Sequence, residues 1–442
     1  MLVMGSMIGS GVFIVAADIS RQVQSPGLMI LTWFITAALT LIAALSYGEM
    51  AAAMPLAGGQ YVYLREAFGP LWGFLYGWTL FLVIQTGTIA AVAVAFAKYT
   101  GVFFPWFSAD NHLIGSGAVG LSTQQLLAIV LIAFLTWSNT RGIRTGAVVQ
   151  NTFTTAKVAA LLGLVALGFL VGRNPEAVAS NFTDFWRNAG WNATTVRLVG
   201  VAMVGSLFSA DAWNNVTFTA GEVRNPKRNL PLSLALGVGI VCALYIGAQY
   251  VYLNVLTFPE IQNAAQDRVA TAASLKMLGP VAVQVMAVAI MVSTFGCTNG
   301  LILSGARVYY AMAKDHLFFA RAGRLDAVRH VPIFALVVQS IWAAILTMSG
   351  RYGDLLDYVI FAVLLFYILT IVGLFVLRRT RPDLERPYRA IGYPVLPALY
   401  IVAAGLIEVL LLLYKRNYTW PGLIIVLLGL PVYFIWRRKA AV

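Results

Sequence analysis

Charge is scarce in this sequence. Asp, Glu, Lys and Arg make up 11% of its 442 residues and hydrophobic residues 60%, whereas soluble domains carry roughly a quarter charged residues. A globular core of this length would need a charged surface, and there is too little charge to make one. That excludes an ordinary soluble domain and leaves the bilayer as solvent, since a spanning helix takes about 20 mostly apolar residues. Histidine is scarcer still: His112, His316 and His330 are the only ones, all in connectors, so metalloprotease chemistry of the HExxH type has no ligands here. The two cysteines, Cys242 and Cys297, both lie inside apolar segments, which excludes a disulfide framework and a Cys-rich metal site. Gly-x-Ser-x-Gly elbows and P-loops are missing too, so a membrane-embedded hydrolase and an ATP-driven pump find no footing. No metal and no cofactor is expected. The chain opens directly on MLVMGSMIGSGVFIVA, without the basic region and small-residue cleavage site of a signal peptide. A cytoplasmic tail would be usual before this point, so the N-terminus is expected to be trimmed or merely short.

What is present is a series of apolar runs. They fall at about 1–20, 28–54, 71–100, 123–139, 148–172 and 196–222, then at about 231–255, 280–312, 332–349, 355–378, 391–414 and 420–437. Twelve runs put both termini on one side. The net charge of +13 does not read as a nucleic-acid surface, because Lys and Arg sit in short connectors and at the C-terminus. With connectors assigned alternately, nineteen basic residues share the side of the termini and ten the other; Lys157 stands apart and completes the 30. Basic excess marks the cytoplasm, so both termini are expected there, in a multi-pass protein of the cell membrane.

Lys157 lies about nine residues into the fifth run. A charge at bilayer depth is costly and marks function by default; the alternative is a lysine whose head snorkels to the interface, and its depth favours the first. The first run contains GSMIGSGVF, with Gly5, Ser6, Gly9, Ser10 and Gly11. Each glycine weakens a helix by about 1 kcal/mol relative to alanine, and an unwound turn in lipid must line a cavity or be buried in protein. The spacing of Gly5 and Gly9 also reads as close helix packing. The sixth run carries Ser206, Phe208, Ser209, Asp211, Trp213, Asn214 and Asn215 in ten residues, and such a set cannot face acyl chains. Interruptions five spans apart are the sequence pointer to an inverted-repeat binding site. A half-helix beginning after Gly11 presents free N–H groups, suited to a carboxylate. Half-helices ending near Ile8 and Phe208 present carbonyls, suited to an ammonium group. A molecule with both groups close together is an α-amino acid.

These residues resemble the amino acid–polyamine–organocation superfamily, and within it the L-type amino acid transporters and their bacterial relatives. The resemblance covers nearly the whole chain: GSMIGSGVF, FSADAWNN followed by AGEVRNPKRNLPLSL, SYGEMAAAMPLAGGQYVYLREAFG, and STFGCTNGLILSGARVYYAMAKD. It implies an all-α membrane fold of twelve transmembrane helices, with helices 1 and 6 discontinuous. Two inverted five-helix repeats would cover 1–172 and 196–378, and two further helices 391–437. It further implies that Ser10 and Gly11, with the backbone of Ser6 and Met7, hold the substrate carboxylate, and that carbonyls of Met7, Ile8 and Phe208 take the ammonium. The Phe208 ring would be an aromatic gate, although a packing role is the default for one of 25 phenylalanines. Lys157 would stand where sodium-coupled relatives place a cation, and Asn214 would couple binding to closure. Asp211 is the variable position: many L-type transporters have a small residue there, the light chain of the cystine/dibasic exchanger an aspartate. It could pair with a cationic side chain, act as a structural anchor, or carry a proton, for which no second buried carboxylate is obvious. Glu222, beside Arg224, Lys227 and Arg228, could join an intracellular gate or be an inconsequential helix-end charge.

The expectation is a sodium-independent amino-acid transporter, an exchanger of neutral and cationic L-amino acids by alternating access and not an enzyme. A proton-coupled symporter and a membrane channel are the alternatives. The stretch GVFFPWFSADNHLIGSGAVGLSTQ lacks the cysteine through which animal light chains bond a heavy chain. No disulfide-linked partner is therefore expected, and a non-covalent homo-oligomer is compatible.

Overall fold

The computed structural model describes residues 1–115, 120–190, 192–348 and 352–440. Arg351, one of the ten basic residues on the side opposite the termini, lies outside the described residues, as do 116–119 of the connector without cysteine. The chain is almost wholly helical: α1 (Leu2–Met7), α2 (Gly11–Val23), α3 (Pro26–Ala53), α4 (Gln60–Phe68), α5 (Pro70–Thr79), α6 (Gln85–Thr100), α7 (Thr123–Asn139), α8 (Ile143–Leu170), α9 (Pro175–Phe182), α10 (Ala193–Ser209), α11 (Asn215–Phe218), α12 (Pro226–Val255), α13 (Phe258–Gln262), α14 (Val269–Leu278), α15 (Pro280–Lys314), α16 (Ile333–Met348), α17 (Tyr352–Thr380), α18 (Val395–Tyr414) and α19 (Arg416–Ala440). Two short antiparallel strands, His112–Ile114 and Leu121–Ser122, pair in one connector.

Proline sets many of the helix starts. α3, α5, α9, α12, α13 and α15 each carry one in the first turn, where its fixed φ fits the helix and its missing N–H costs nothing. At α3 the Ser25 hydroxyl also accepts from Leu28 N, and at α7 Ser122 and Gln125 form a reciprocal capping box.

Eight helices among the described residues are long and apolar enough to cross a membrane. Lipid cannot satisfy a peptide group, so continuous helix is what such apolar sequence folds into. The runs expected at 123–139, 196–222 and 332–349 fold as shorter apolar helices. The run expected at 1–20 folds as two helices, α1 and α2, with residues 8–10 outside both. The run at 71–100 contains a feature no spacing announced: a π turn, Leu80–Ile84, between α5 and α6, with the Thr86 hydroxyl donating to the Phe81 carbonyl at 2.7 Å.

The core forms where α3 packs on α12, α2 on α10, and α15 against α6 and α8. At the ends of α3 and α17, Glu49 is sealed in the protein. It accepts from Arg378 Nε at 2.9 Å and from the backbone N–H of Ala390 at 2.7 Å, and lies 3.3 Å from Arg386 Nε.

Candidate functional site

α1 stops at Met7, where Ile8 takes an extended conformation, and a helix end leaves its last carbonyls without partners. Buried orphans of this kind cost about 1–3 kcal/mol each, so the packing around α1 must supply donors, and it does. The Met4 carbonyl accepts from Ile8 N at 3.0 Å. Lys157 Nζ, on α8 and 1% exposed, donates to the carbonyls of Gly5 at 2.5 Å and Ile8 at 2.8 Å, and to Ser293 O at 3.3 Å. Cys297 Sγ donates to Ser6 O at 3.0 Å, and the Tyr245 hydroxyl reaches Met7 O at 3.0 Å. Ser293 Oγ contacts Ile8 O at 3.1 Å and Gly9 O at 3.0 Å. Side chains from α8, α12 and α15 thus replace the missing helical turn.

α10 ends comparably. Ser209 is its last residue, and the stretch to Asn215 includes Ala212 at φ +63°, a conformation a Cβ makes costly. The Phe208 carbonyl accepts from Asp211 N at 3.2 Å. The Tyr245 hydroxyl also lies 3.0 Å from Ser209 O, so one phenol ties the end of α1 to the end of α10. The two interruptions face each other: a Cβ on Gly11 would sit 2.1 Å from Ser209 Oγ and 2.9 Å from Ser209 Cα. Only glycine admits that approach. At the start of α2 the first-turn N–H groups receive no side-chain cap.

Asp211 and Asn214 line the cavities beside this closed contact. Asp211 is 7% exposed and accepts from the Tyr367 hydroxyl at 2.7 Å. It belongs to the walls of two small cavities, which also share Val363 and Tyr367. The first is polar, with Gln60, Gln85, Asn214 and Asn215 on its wall, and the π-turn residues Leu80 and Ile84 line it as well. The second is bounded by Trp213, Tyr400 and Thr40. Asn214 Nδ2 donates to Gln60 Oε1 at 2.8 Å and Gln60 Nε2 to Thr370 Oγ1 at 3.0 Å, linking the interruption to α4 and α17.

The structure therefore gathers Ser6, Met7, Ile8, Ser10, Gly11, Phe208 and Lys157 around the two interruptions, all buried. Asp211 and Asn214 lie next to them along the chain but on the cavity walls, where the other seven do not appear. Sequence reasoning missed Tyr245, Ser293, Cys297, Gln60 and Tyr367. Their one signal is a hydrogen-bonding group inside an apolar segment, which many packing residues share. Glu222 pairs with Arg307 of α15, Nε to Oε1 at 3.0 Å, whereas Lys227 pairs with Glu385.

Helices of spanning length, wrapped around buried polar groups at two helix interruptions, define a multi-pass membrane protein. The chain belongs to the amino acid permease family, whose model matches residues 1–434. It is similar over 98% of its length to the b(0,+)-type amino acid transporter 1 of Mus musculus, at 29% identity and covering 86% of that protein. The Large neutral amino acids transporter small subunit 2 of Homo sapiens is 29% identical over 99% of this chain and 79% of its own. The Serine/threonine exchanger SteT of Bacillus subtilis is 28% identical over the whole chain and 95% of its own.

Proposed function

We propose that this protein is a sodium-independent exchanger of neutral L-amino acids that also admits cationic ones at Asp211, working by alternating access. The observation that carries the reading is Lys157 Nζ among the carbonyls of Gly5, Ile8 and Ser293. Converging carbonyl oxygens are a cation site, and here a covalently held ammonium fills it, leaving sodium no role. In this reading α1 with α2, and α10 with α11, are the discontinuous first and sixth of twelve spans. The repeats are 1–172 and 196–378, followed by 391–437, in a cell membrane with both termini cytoplasmic.

The substrate carboxylate meets the N–H groups at the start of α2, with Ser10, Gly11 and the backbone of Ser6 and Met7. Its ammonium meets carbonyls of Met7, Ile8 and Phe208. A carbonyl has two lone pairs, and Ile8 O already serves Lys157 and Ser293, so an arriving ammonium competes with them for it. That competition couples binding to the junction of α1 and α8. Phe208 closes the pocket, Asn214 passes closure to α4 through Gln60, and the side chain of the substrate extends toward Asp211. The serine/threonine exchanger and the two transporters named above support amino-acid transport as the activity and exchange as its mode. The protein acts without a disulfide-linked partner chain.

Thermal-shift titration of the purified protein tests the two-ended recognition. L-Alanine stabilises, while its carboxamide and its N-acetyl derivative do not. Equal stabilisation by either blocked analogue contradicts it.

A further inference from the structure

The last two spanning helices add only Tyr400 of α18 to the cavity walls described above, yet α18 also carries a carboxyl group in the membrane interior. Pro397, Tyr400, Ala404, Ile407, Glu408 and Leu411 form its buried stripe, while Leu399, Val402, Leu406 and Val409 face outward. Glu408 is 7% exposed as a residue, both its carboxyl oxygens are sealed from solvent, and the polar group beside them is the backbone N–H of Leu365 on α17. A carboxylate placed so is out of reach of bulk solvent and has no counter-ion among the described residues. Burying an unpaired charge costs far more than burying a neutral acid of the same shape, so this packing accommodates the acid form.

Among the described residues no cation pairs with the Glu408 carboxyl group. α18 packs against α17, α10, α3 and α19. From α17 the described titratable side chains are Tyr367, near Asp211, and the basic residues Arg378 and Arg379 at its far end, while Tyr352, Asp354, Asp357 and Tyr358 belong to its first two turns. α10 contributes Arg197, whose guanidinium stacks over the Tyr414 ring at 5.1 Å. α3 contributes Tyr47 and Glu49, and Glu49 is committed to Arg378 and Arg386. Arg416 begins α19 beyond the end of α18 and donates to Leu413 O at 3.1 Å. Glu408 stands about 9 Å below Tyr414 along the helix, in the outer half in the orientation proposed above. On its other side Tyr400 stands on the cavity wall that holds Asp211.

We propose that Glu408 is a proton-binding site of the transport cycle, loaded from the outer solution and filled whenever α18 is packed as it is here. Glu408 then exchanges its proton when the helices around α18 part, and the cycle returns to the packed arrangement only with the proton restored. The sign follows from linkage. The packed arrangement holds one more proton than the open one, so a rising external pH starves the return step and slows uptake.

The proposal rests on the transport reading only for its assay. Amino-acid uptake into proteoliposomes is measured from about pH 5.5 to about pH 8 outside, at fixed internal pH, a range spanning a perturbed carboxyl group. Wild-type uptake is expected to fall several-fold across it, and Glu408→Gln, neutral at every pH, to keep the low-pH rate throughout. A wild-type profile retained in Glu408→Gln overturns the proton site and leaves the transport reading intact, whereas absence of wild-type uptake overturns the transport reading itself. Should Glu408→Gln fail to fold, the wild-type protein is labelled with dicyclohexylcarbodiimide, an apolar reagent for protonated carboxyl groups, and digested for mass spectrometry. Label on Glu408 that declines as pH rises supports the proposal, and no label at low pH overturns it.

Discussion

Lys157 concentrates the physical cost and the proposed function in one side chain. Its ammonium is buried in a membrane helix and held by three carbonyls. Truncation leaves those oxygens without their donor, at about 1–3 kcal/mol for each one not rebonded. Lys157→Ala is therefore expected to lower thermal stability yet elute as a folded monodisperse protein, with uptake reduced at least about tenfold by loss of a group worth more than 1.4 kcal/mol; near-normal uptake would remove its assigned role. Asp211 tests the other end of the substrate. Its Oδ1 is engaged by Tyr367, and a carboxylate keeps further acceptor sites free. Asp211→Asn should cut arginine and lysine uptake while sparing alanine in a substrate panel, and equal loss of all three would make the residue a structural anchor. For Phe208, replacement by alanine is expected to lower turnover more than binding in paired exchange and thermal-shift measurements. Unchanged exchange kinetics would refute the gate.

The interruptions are a property of elements. α2 meets α10 at Gly11 and Ser209, where a Cβ would lie 2.1 Å from a hydroxyl oxygen. Gly11→Ala is expected to push the helices apart and lower exchange strongly, and a second change, Ser209→Gly, to restore part of it by vacating the space. Equal activity of the single and double variants would show that the contact is unimportant. These interruptions were visible in sequence because glycine and polar residues crowd an apolar run, and three consecutive glycine or serine positions weaken it enough to read. The partners that cap them were not. Tyr245, Ser293 and Cys297 come from spans that read as ordinary apolar helix, and only folding brings their hydroxyl and thiol groups to the end of α1. The π turn at Leu80–Ile84 left no mark either, since its residues are as apolar as their neighbours. Glu222 was legible as a charge at a helix end, but its partner Arg307 lies on α15 and belongs to the packing.

At the scale of the whole molecule, polar ties link helices on two sides of the candidate site. On the side of α4, Arg65 pairs with Asp315, Tyr61 donates to Asp315 at 2.7 Å, and Glu222 pairs with Arg307. On the other side, Arg21 pairs with Asp267 at 2.9 Å and donates to Gln262 O at 2.8 Å, strapping the end of α2 to the segment between α12 and α15. In the proposed cycle the two sets open in turn; the exposed Arg21–Asp267 pair contributes about 0–1 kcal/mol, weak enough for substrate binding to shift. Exchange follows if the site crosses back only when occupied, and in the proposed reading Lys157 makes that crossing independent of sodium. The direct test is countertransport in proteoliposomes with sodium replaced by choline on both sides. Uptake of a labelled amino acid should be stimulated severalfold by unlabelled amino acid inside and unchanged when sodium is restored. Uptake that requires sodium, or that internal amino acid fails to stimulate, would contradict the account.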